Sequence, residues 1–273
     1  QVSAQGTQAT RLTAAQLGQM QGAIDSRMNT LFARLTPAAQ NSMLADTSRL
    51  GMIGGAASAD NPADSMNLGP IGVWFNSSYN TGAISTNDQQ LGYDFGNWGF
   101  TMGADYKPIE RLAIGTAFAF GRNQANFASN LGNTENDAYT GMIYAAWYPV
   151  DNLHIDANAS YGGNDYSTQR NISYQLDNPD MWNVNTVVRG ATGGDHYSFG
   201  LRSGYNLSID SLTIEPYARF NYYSLGVDSY KEQGLSGFEL SMGKQNIDSL
   251  ITSLGTQLSY AFSYSWGVLL PQL

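Results

Sequence analysis

The sequence contains no cysteine. That excludes disulfide scaffolds, cysteine-ligated metals and thiol nucleophiles. Histidine occurs only at His154 and His196, and a zinc site would need both of them together with carboxylates. No metal and no cofactor are therefore expected. Charge is scarce too. Only 13% of residues are charged, against roughly 25% in soluble domains. The 13 Lys and Arg are outnumbered by 22 Asp and Glu, giving a net charge of −9. Nucleic acid requires a basic stripe, so it is not an expected partner. No run of about 18 apolar residues is present, so no helix is predicted to cross a bilayer. Neither a signal peptide nor a lipidation motif is readable. The chain opens on Gln1-Val2-Ser3 and reads as a fragment or a processed product.

What is present is 17 Tyr, 30 Gly and a low charge. Composition alone leaves two classes open: a β-barrel with a polar lumen and an apolar exterior, or a soluble β-sandwich or lectin-like domain. The order of residues separates them. Residues 153–161 alternate strictly, with Leu153, Ile155, Ala157, Ala159 and Tyr161 set against His154, Asp156, Asn158 and Ser160. Residues 212–222 do the same, with Leu212, Ile214, Pro216, Ala218, Phe220 and Tyr222 against Thr213, Glu215, Tyr217, Arg219 and Asn221. The segments 98–106, 197–206 and 250–262 repeat the pattern. Segments 71–79, 112–122 and 138–148 are less regular. A period of two places alternate residues on opposite faces of a sheet.

These runs are about 9 to 14 residues long, and a tilted strand needs about 9–11 to cross a bilayer. The connections alternate as well. Residues 80–92, 123–137, 165–195 and 226–248 are read as long, and 107–111, 149–152, 208–211 and 263–266 as short. Short turns on one rim and long loops on the other mark an outer-membrane barrel, and a Greek-key sandwich gives no reason for them. Two aromatic girdles at headgroup level are expected. Tyr106, Trp147, Tyr148, Tyr264 and Trp266 form one by the short turns. Tyr79, Phe120, Tyr161, Tyr222 and Tyr223 form the other towards the loops. The alternative is that Tyr and Trp are simply good strand formers.

The first 50 residues read as mostly helical. Thr13-Ala-Ala-Gln16 matches a capping box. Leu17, Met20, Ile24, Met28, Leu31 and Leu35 then fall three and four apart, on one apolar face. Thr36-Pro37 stops that helix. Residues 54–70, rich in Gly, Asp, Asn and Pro, are expected to be a linker.

From Gly72-Val-Trp74-Phe75, through Tyr93-Asp94-Phe95 and Gly103-Ala-Asp105-Tyr106, the chain resembles the β-domain of bacterial autotransporters, the type V secretion family. Ile214-Glu-Pro216-Tyr217-Ala218, Ser253-Leu254-Gly255 and Gly267-Val-Leu-Leu-Pro271 resemble it too. No one of these motifs is specific; their order and spacing over 71–273 carry the likeness. The resemblance implies an all-β fold, an antiparallel transmembrane β-barrel of twelve strands with an N-terminal α-helix in its lumen. Eight strands and the beginning of a ninth can be counted here. An apparent truncation, or an assembly that differs from the family, is therefore expected. Residues 1–70 would be the pore-helix segment and 71–273 the barrel domain. The implied partners are outer-membrane lipid, the barrel-assembly machinery and an upstream passenger.

No catalytic set is legible. Gly234-Leu-Ser236-Gly237-Phe238 approaches a nucleophile elbow but has Phe238 in the last glycine's place. Gly190-Ala-Thr192-Gly193-Gly194 lacks the lysine of a phosphate loop and reads as a flexible loop tip. Trp182 and Arg189 in 165–195 are candidates for outside contacts, or ordinary surface loop residues. By alternation, Asp105, Asp156, Arg202, Glu215 and Arg219 point inwards. Arg on the lipid face would cost about 2–4 kcal/mol at the midplane. These five are candidates for gripping the helix or lining a hydrated channel; the alternative is a wall of paired charges. Three functions remain open: a translocator, a porin-like channel and a loop-mediated surface adhesin.

Overall fold

The computed structural model describes residues 13, 17–31, 66–68, 70–86, 91–174, 184–209, 211–234, 237–260, 262–264 and 267–269. Eight long strands follow one another: β1 (Ile71–Ile84), β2 (Tyr93–Ile109), β3 (Leu112–Phe127), β4 (Gly132–Val150), β5 (Leu153–Tyr174), β6 (Val184–Tyr205), β7 (Leu212–Val227) and β8 (Gln245–Tyr260). Each pairs antiparallel with the next in an unbroken order. Short segments decorate this path. Met66–Leu68 pairs with the start of β1, so the stretch expected to be linker ends in a strand. Leu207–Ile209 folds onto the start of β7. Phe262–Tyr264 pairs with Gly267–Leu269. The helix α1 spans residues 17–31 and packs on the inner face of the sheet.

Burial inverts the soluble pattern. On β5 the polar His154, Asp156, Asn158 and Ser160 are buried, and the apolar residues between them are more open. On β6, Tyr197, Phe199 and Leu201 are exposed while His196 and Ser198 are buried. On β3 the inner face is Ala113, Gly115, Ala117 and Ala119, and the outer face carries Ile114 and Phe118. This strand reads irregularly in the sequence because its inner residues are small rather than polar. Their smallness lets α1 lie close against the wall.

The outward aromatics fall into two rows. Trp98 and Tyr106, Tyr139 and Trp147, and Tyr197 and Tyr205 are outward pairs on β2, β4 and β6. Each pair is eight residues apart. At about 3.3 Å per residue this is roughly 26 Å of strand, or about 20 Å of height at a tilt of roughly 40°, most of the roughly 25 Å apolar band of an outer-membrane barrel. The loop-side row is continuous: Trp98 meets Phe120 with ring centroids 5.3 Å apart, and Phe120 meets Tyr139 at 5.1 Å. Two residues expected in the girdles are not there. Tyr148 is 1% exposed and Tyr223 packs on the buried cluster around α1. Each directly follows an outward neighbour, Trp147 or Tyr222, and the period of two turns it inwards. The side chains of Tyr264 and Trp266 lie outside the described residues.

The long connections are shorter than the sequence suggests. Of 123–137 only 128–131 lie outside strands, and β5 and β6 run far into 165–195. The Gly190–Gly194 cluster and Arg189 belong to β6 rather than to a loop tip. Trp182 lies outside the described residues. Apolar alternation stops where the outer face leaves its apolar surroundings, but backbone pairing does not need apolar side chains. There Arg122 pairs with Asp137 across β3 and β4 instead. At the opposite rim the ladder slips between Tyr106 and Ile109 and between Trp147 and Val150. Pro108 and Pro149 lie in those gaps. Proline has no N–H for the ladder, and a bulge accommodates it.

Ile143 is 66% exposed and stands midway between Tyr139 and Trp147. Ile143→Arg should therefore destabilise the barrel by about 2–4 kcal/mol, and Trp147→Arg by about 0–1 kcal/mol. Urea unfolding in phospholipid vesicles measures both; equal costs would contradict the assigned depth.

Candidate functional site: the helix–wall interface

Leu17, Met20, Ile24, Met28 and Leu31 are all buried, at 5% exposure or less. They pack with Trp74, Ala113, Ala117, Ala119, Met142, Tyr144, Ala146 and Tyr148. Each such side chain contributes about 1.5–3 kcal/mol relative to leaving it in water. Leu35, expected to extend the stripe, lies outside the described residues.

Arg27 falls within that stripe, seven residues after Met20, and is also buried. Its Nε donates to Asp105 Oδ2 at 2.7 Å and its Nη2 to Oδ1 at 2.9 Å. Tyr144 donates its hydroxyl proton to the same carboxylate at 3.1 Å, and Trp74 Nε1 donates to the Tyr144 oxygen at 2.7 Å. The pair's side chains are 3% and 1% exposed. Three glycines give the quartet its room. A Cβ at Gly72 would collide with the Arg27 guanidinium and the Asp105 carboxylate, one at Gly103 with the Trp74 indole, and one at Gly115 with the Tyr144 ring.

A second polar group lies along β5, β6 and β7. Gln21, Asp25 and Asn29 are four residues apart and form a polar stripe beside the apolar one, and Gln21 donates to Asp25 at 3.1 Å. Arg219 donates to Asp25 at 3.0 Å and Arg202 to Asn29 at 3.1 Å. Glu215 lies 3.5 Å from Arg202 and 3.7 Å from His154. Asp156 is 8% exposed, and its Oδ1 has no partner among the described residues. It lines a small cavity with Gln21, Asp25, Asn158, Arg202 and Arg219.

A third network closes round the outer end. The Thr13 hydroxyl bonds that of Tyr166 at 2.7 Å, and Asn136 Nδ2 donates to Thr13 at 3.2 Å. His196 bridges Thr140 at 2.9 Å and Asn164 at 2.8 Å. Both histidines therefore lie on the inner wall in polar surroundings.

Of the five inward charges, Asp105, Arg202 and Arg219 touch side chains of α1, Glu215 lies beside Arg202, and Asp156 lines the cavity against the helix. The sequence did not single out Arg27, Trp74, Tyr144 or Gly72 as members of this site. Arg27 left a signal, a cation at the spacing of an apolar stripe, and Gly72 and Trp74 stand in a segment that carries the family resemblance. The partners of the other three are set by strand register. Among the described residues no three His, Asp or Glu side chains are placed to hold a metal.

The arrangement locks a helix into one register against a wall that is polar inside and apolar outside. No helix among the described residues is long and apolar enough to cross a membrane; the strands cross instead. This is the inverted sheet of an outer-membrane β-barrel around an occupied lumen. The model of the autotransporter β-domain matches residues 73–273, and the chain belongs to that family. It is a translocator-type domain of the bacterial outer membrane. The translocator domain of the autotransporter NalP from Neisseria meningitidis has a similar fold, with a TM-score of 0.55 and 17% identity, over 73% of this chain and 64% of that one. The YaiT protein of Escherichia coli K12 is 27% identical over 71% of this chain and 19% of its own length. Outer membrane protein A of Rickettsia rickettsii is 23% identical over 72% of this chain and 10% of its own. The chain thus spans a fifth or less of YaiT and of the Rickettsia protein.

Removing one member of a buried ion pair strands the other and costs about 3–5 kcal/mol, whereas replacing both with apolar groups is far milder. Arg27→Met alone should therefore destabilise the helix-filled barrel more than Arg27→Met with Asp105→Leu. Heat-modifiability on gels and urea titration would check the order, and the reverse order would refute the assignment of this pair.

Proposed function

We propose that the chain anchors in the outer membrane and supports export of a passenger, joined before the helix, to the cell surface. The observation that carries this reading is the direction of α1. Thr13, which precedes it, bonds Tyr166 and Asn136, towards the long connections, whereas Arg27 near its other end bonds Asp105, beside the short turn after β2. Strand β1 begins at that same rim, where Ile71 pairs with Tyr106. In outer-membrane barrels the short turns are periplasmic and the longer loops extracellular. A segment preceding the helix then emerges at the surface. Residues 17–31 rise about 21 Å at about 1.5 Å each, enough to occupy most of the apolar band.

Residues 1–70 act in this reading as the pore-helix segment and 71–273 as the barrel domain, inserted with the help of the barrel-assembly machinery. Asp105, Arg202 and Arg219 grip the helix, with Glu215 and Asp156 supporting them. Esterase EstA of Pseudomonas aeruginosa is 23% identical over 66% of this chain, a match confined to 27% of EstA. We assign no enzymatic activity to the barrel itself. A helix in the lumen also weighs against an open diffusion channel.

An epitope tag placed before Thr13 in the full-length protein should label on intact cells, and residues 17–31 should resist added protease. Deleting residues 1–60 should raise single-channel conductance in planar bilayers. Free cleavage within 17–31 with an intact barrel, or conductance unchanged by the deletion, would overturn the translocator reading in favour of a channel or a surface adhesin.

A further inference from the structure

Strands β5 and β6 reach further towards the loop rim than their neighbour β7, which ends at Val227 opposite Gly194. The connection between β7 and β8 takes over the edge of β6 beyond that point. Asp228 N–H donates to the Gly193 carbonyl at 2.9 Å, and the Thr192 hydroxyl to the Asp228 carbonyl at 2.9 Å. Arg189 and Gln233 exchange backbone hydrogen bonds of 3.0 and 2.6 Å. The segment then returns as a small hairpin, Tyr230–Lys231 against Ser241–Met242.

Between its two anchors the segment bows onto the inner face. The Tyr230 ring lies over Gly190, where a Cβ would come within 2.5 Å of it. Glu232 reaches across β6 to Arg170 on β5. The guanidinium donates to the carboxylate through both Nε, at 3.1 Å, and Nη2, at 2.5 Å. Arg170 also donates to the Phe238 carbonyl at 2.9 Å, and Leu240 N–H donates to Glu232 at 3.0 Å. Glu232 is 3% and Arg170 7% exposed. A buried, bidentate ion pair is an unusual fitting for a surface connection. Breaking one side of such a pair is costly, whereas its parting as a whole exchanges polar contacts for water. None of the segment's described residues belongs to a cluster of buried apolar side chains, and segments held mainly by polar contacts open locally at low free energy.

This latch stands at the outer end of the helix. Tyr166, which bonds Thr13, lies four residues before Arg170 on the same face of β5, and it packs on Val227. Arg170 therefore stands roughly 13 Å further towards the loop rim than the residue that bonds Thr13.

We propose that residues 228–234 and 237–242 form a strap across the outer mouth, latched by Arg170 and Glu232. The strap parts from β5 and β6 while an extended chain passes and closes over the outer end of the helix afterwards. The inference rests on the translocator reading.

The test uses the full-length protein in cells. The 273 residues contain no cysteine, so with any cysteine elsewhere in the full-length protein changed to Ser, Gly190→Cys with Tyr230→Cys supplies a lone thiol pair where the ring now meets the strand. Oxidised or bridged by a short bismaleimide before export, this variant should retain its passenger in the periplasm, and reduction of the disulfide should release it. Cross-linking after export should leave the passenger in place. Export at the wild-type rate with the pair cross-linked would overturn the strap. Failure of the uncross-linked wild type to export anything would instead overturn the translocator reading. Glu232→Ala, in a barrel that remains heat-modifiable, should make Lys231 at least about tenfold more sensitive to surface trypsin, and Arg170→Glu with Glu232→Arg should restore protection. Wild-type resistance in Glu232→Ala would also overturn the proposal.

Discussion

Inside a bilayer no water is available to satisfy a backbone N–H or C=O, and each group left unsatisfied costs several kcal/mol. The rest of this structure follows from that constraint. The strands must pair along their whole buried length, each with its sequence neighbour, because only short connections are needed between antiparallel partners. Such a sheet must be apolar on the side that meets lipid, and its polar residues have nowhere to go but inwards. The low charge, the many tyrosines and the inverted burial of β5 and β6 are one consequence seen three ways.

An inward polar wall creates a second problem, which the helix resolves. Asp105, Asp156, Arg202, Glu215 and Arg219 would face a lumen crowded by α1, so the helix must offer them partners. It does so with two adjacent stripes. The apolar stripe packs on the small residues of β3 and the aromatics of β1 and β4, and the stripe of Gln21, Asp25 and Asn29 meets the charges of β6 and β7. Arg27 lies inside the apolar stripe and is tolerated there because Asp105 accepts two of its hydrogen bonds and Tyr144 donates to the same carboxylate. A buried ion pair of this kind adds little net stability but fixes position, since any shift of the helix leaves two charges unpaired.

The two rims differ for the same physical reason. At the short-turn rim the chain reverses almost at once, with bulges at Pro108 and Pro149. At the opposite rim the strands outrun the aromatic row, and pairing continues in polar surroundings. There the stabilising contacts change character, from apolar side chains facing lipid to ion pairs such as Arg122 with Asp137 and Arg170 with Glu232.

The period of two and the apolar stripe of the helix were legible in the amino-acid order, because both are local consequences of backbone geometry. So were the inward charges, since one outward charge in lipid is prohibitive. The ends of the strands were not: apolar alternation reports where lipid is, whereas pairing continues wherever a neighbour strand is present. Tyr148 and Tyr223 were misplaced for a related reason, since a residue type says nothing about which side of the pleat it occupies. What only the tertiary structure decided is which groups meet. Arg27 finds Asp105 78 positions away, Gly72 leaves the space between them, and Glu232 crosses a whole strand to reach Arg170. Register between distant strands sets each of these meetings, and register is a property of the assembled sheet rather than of any one segment.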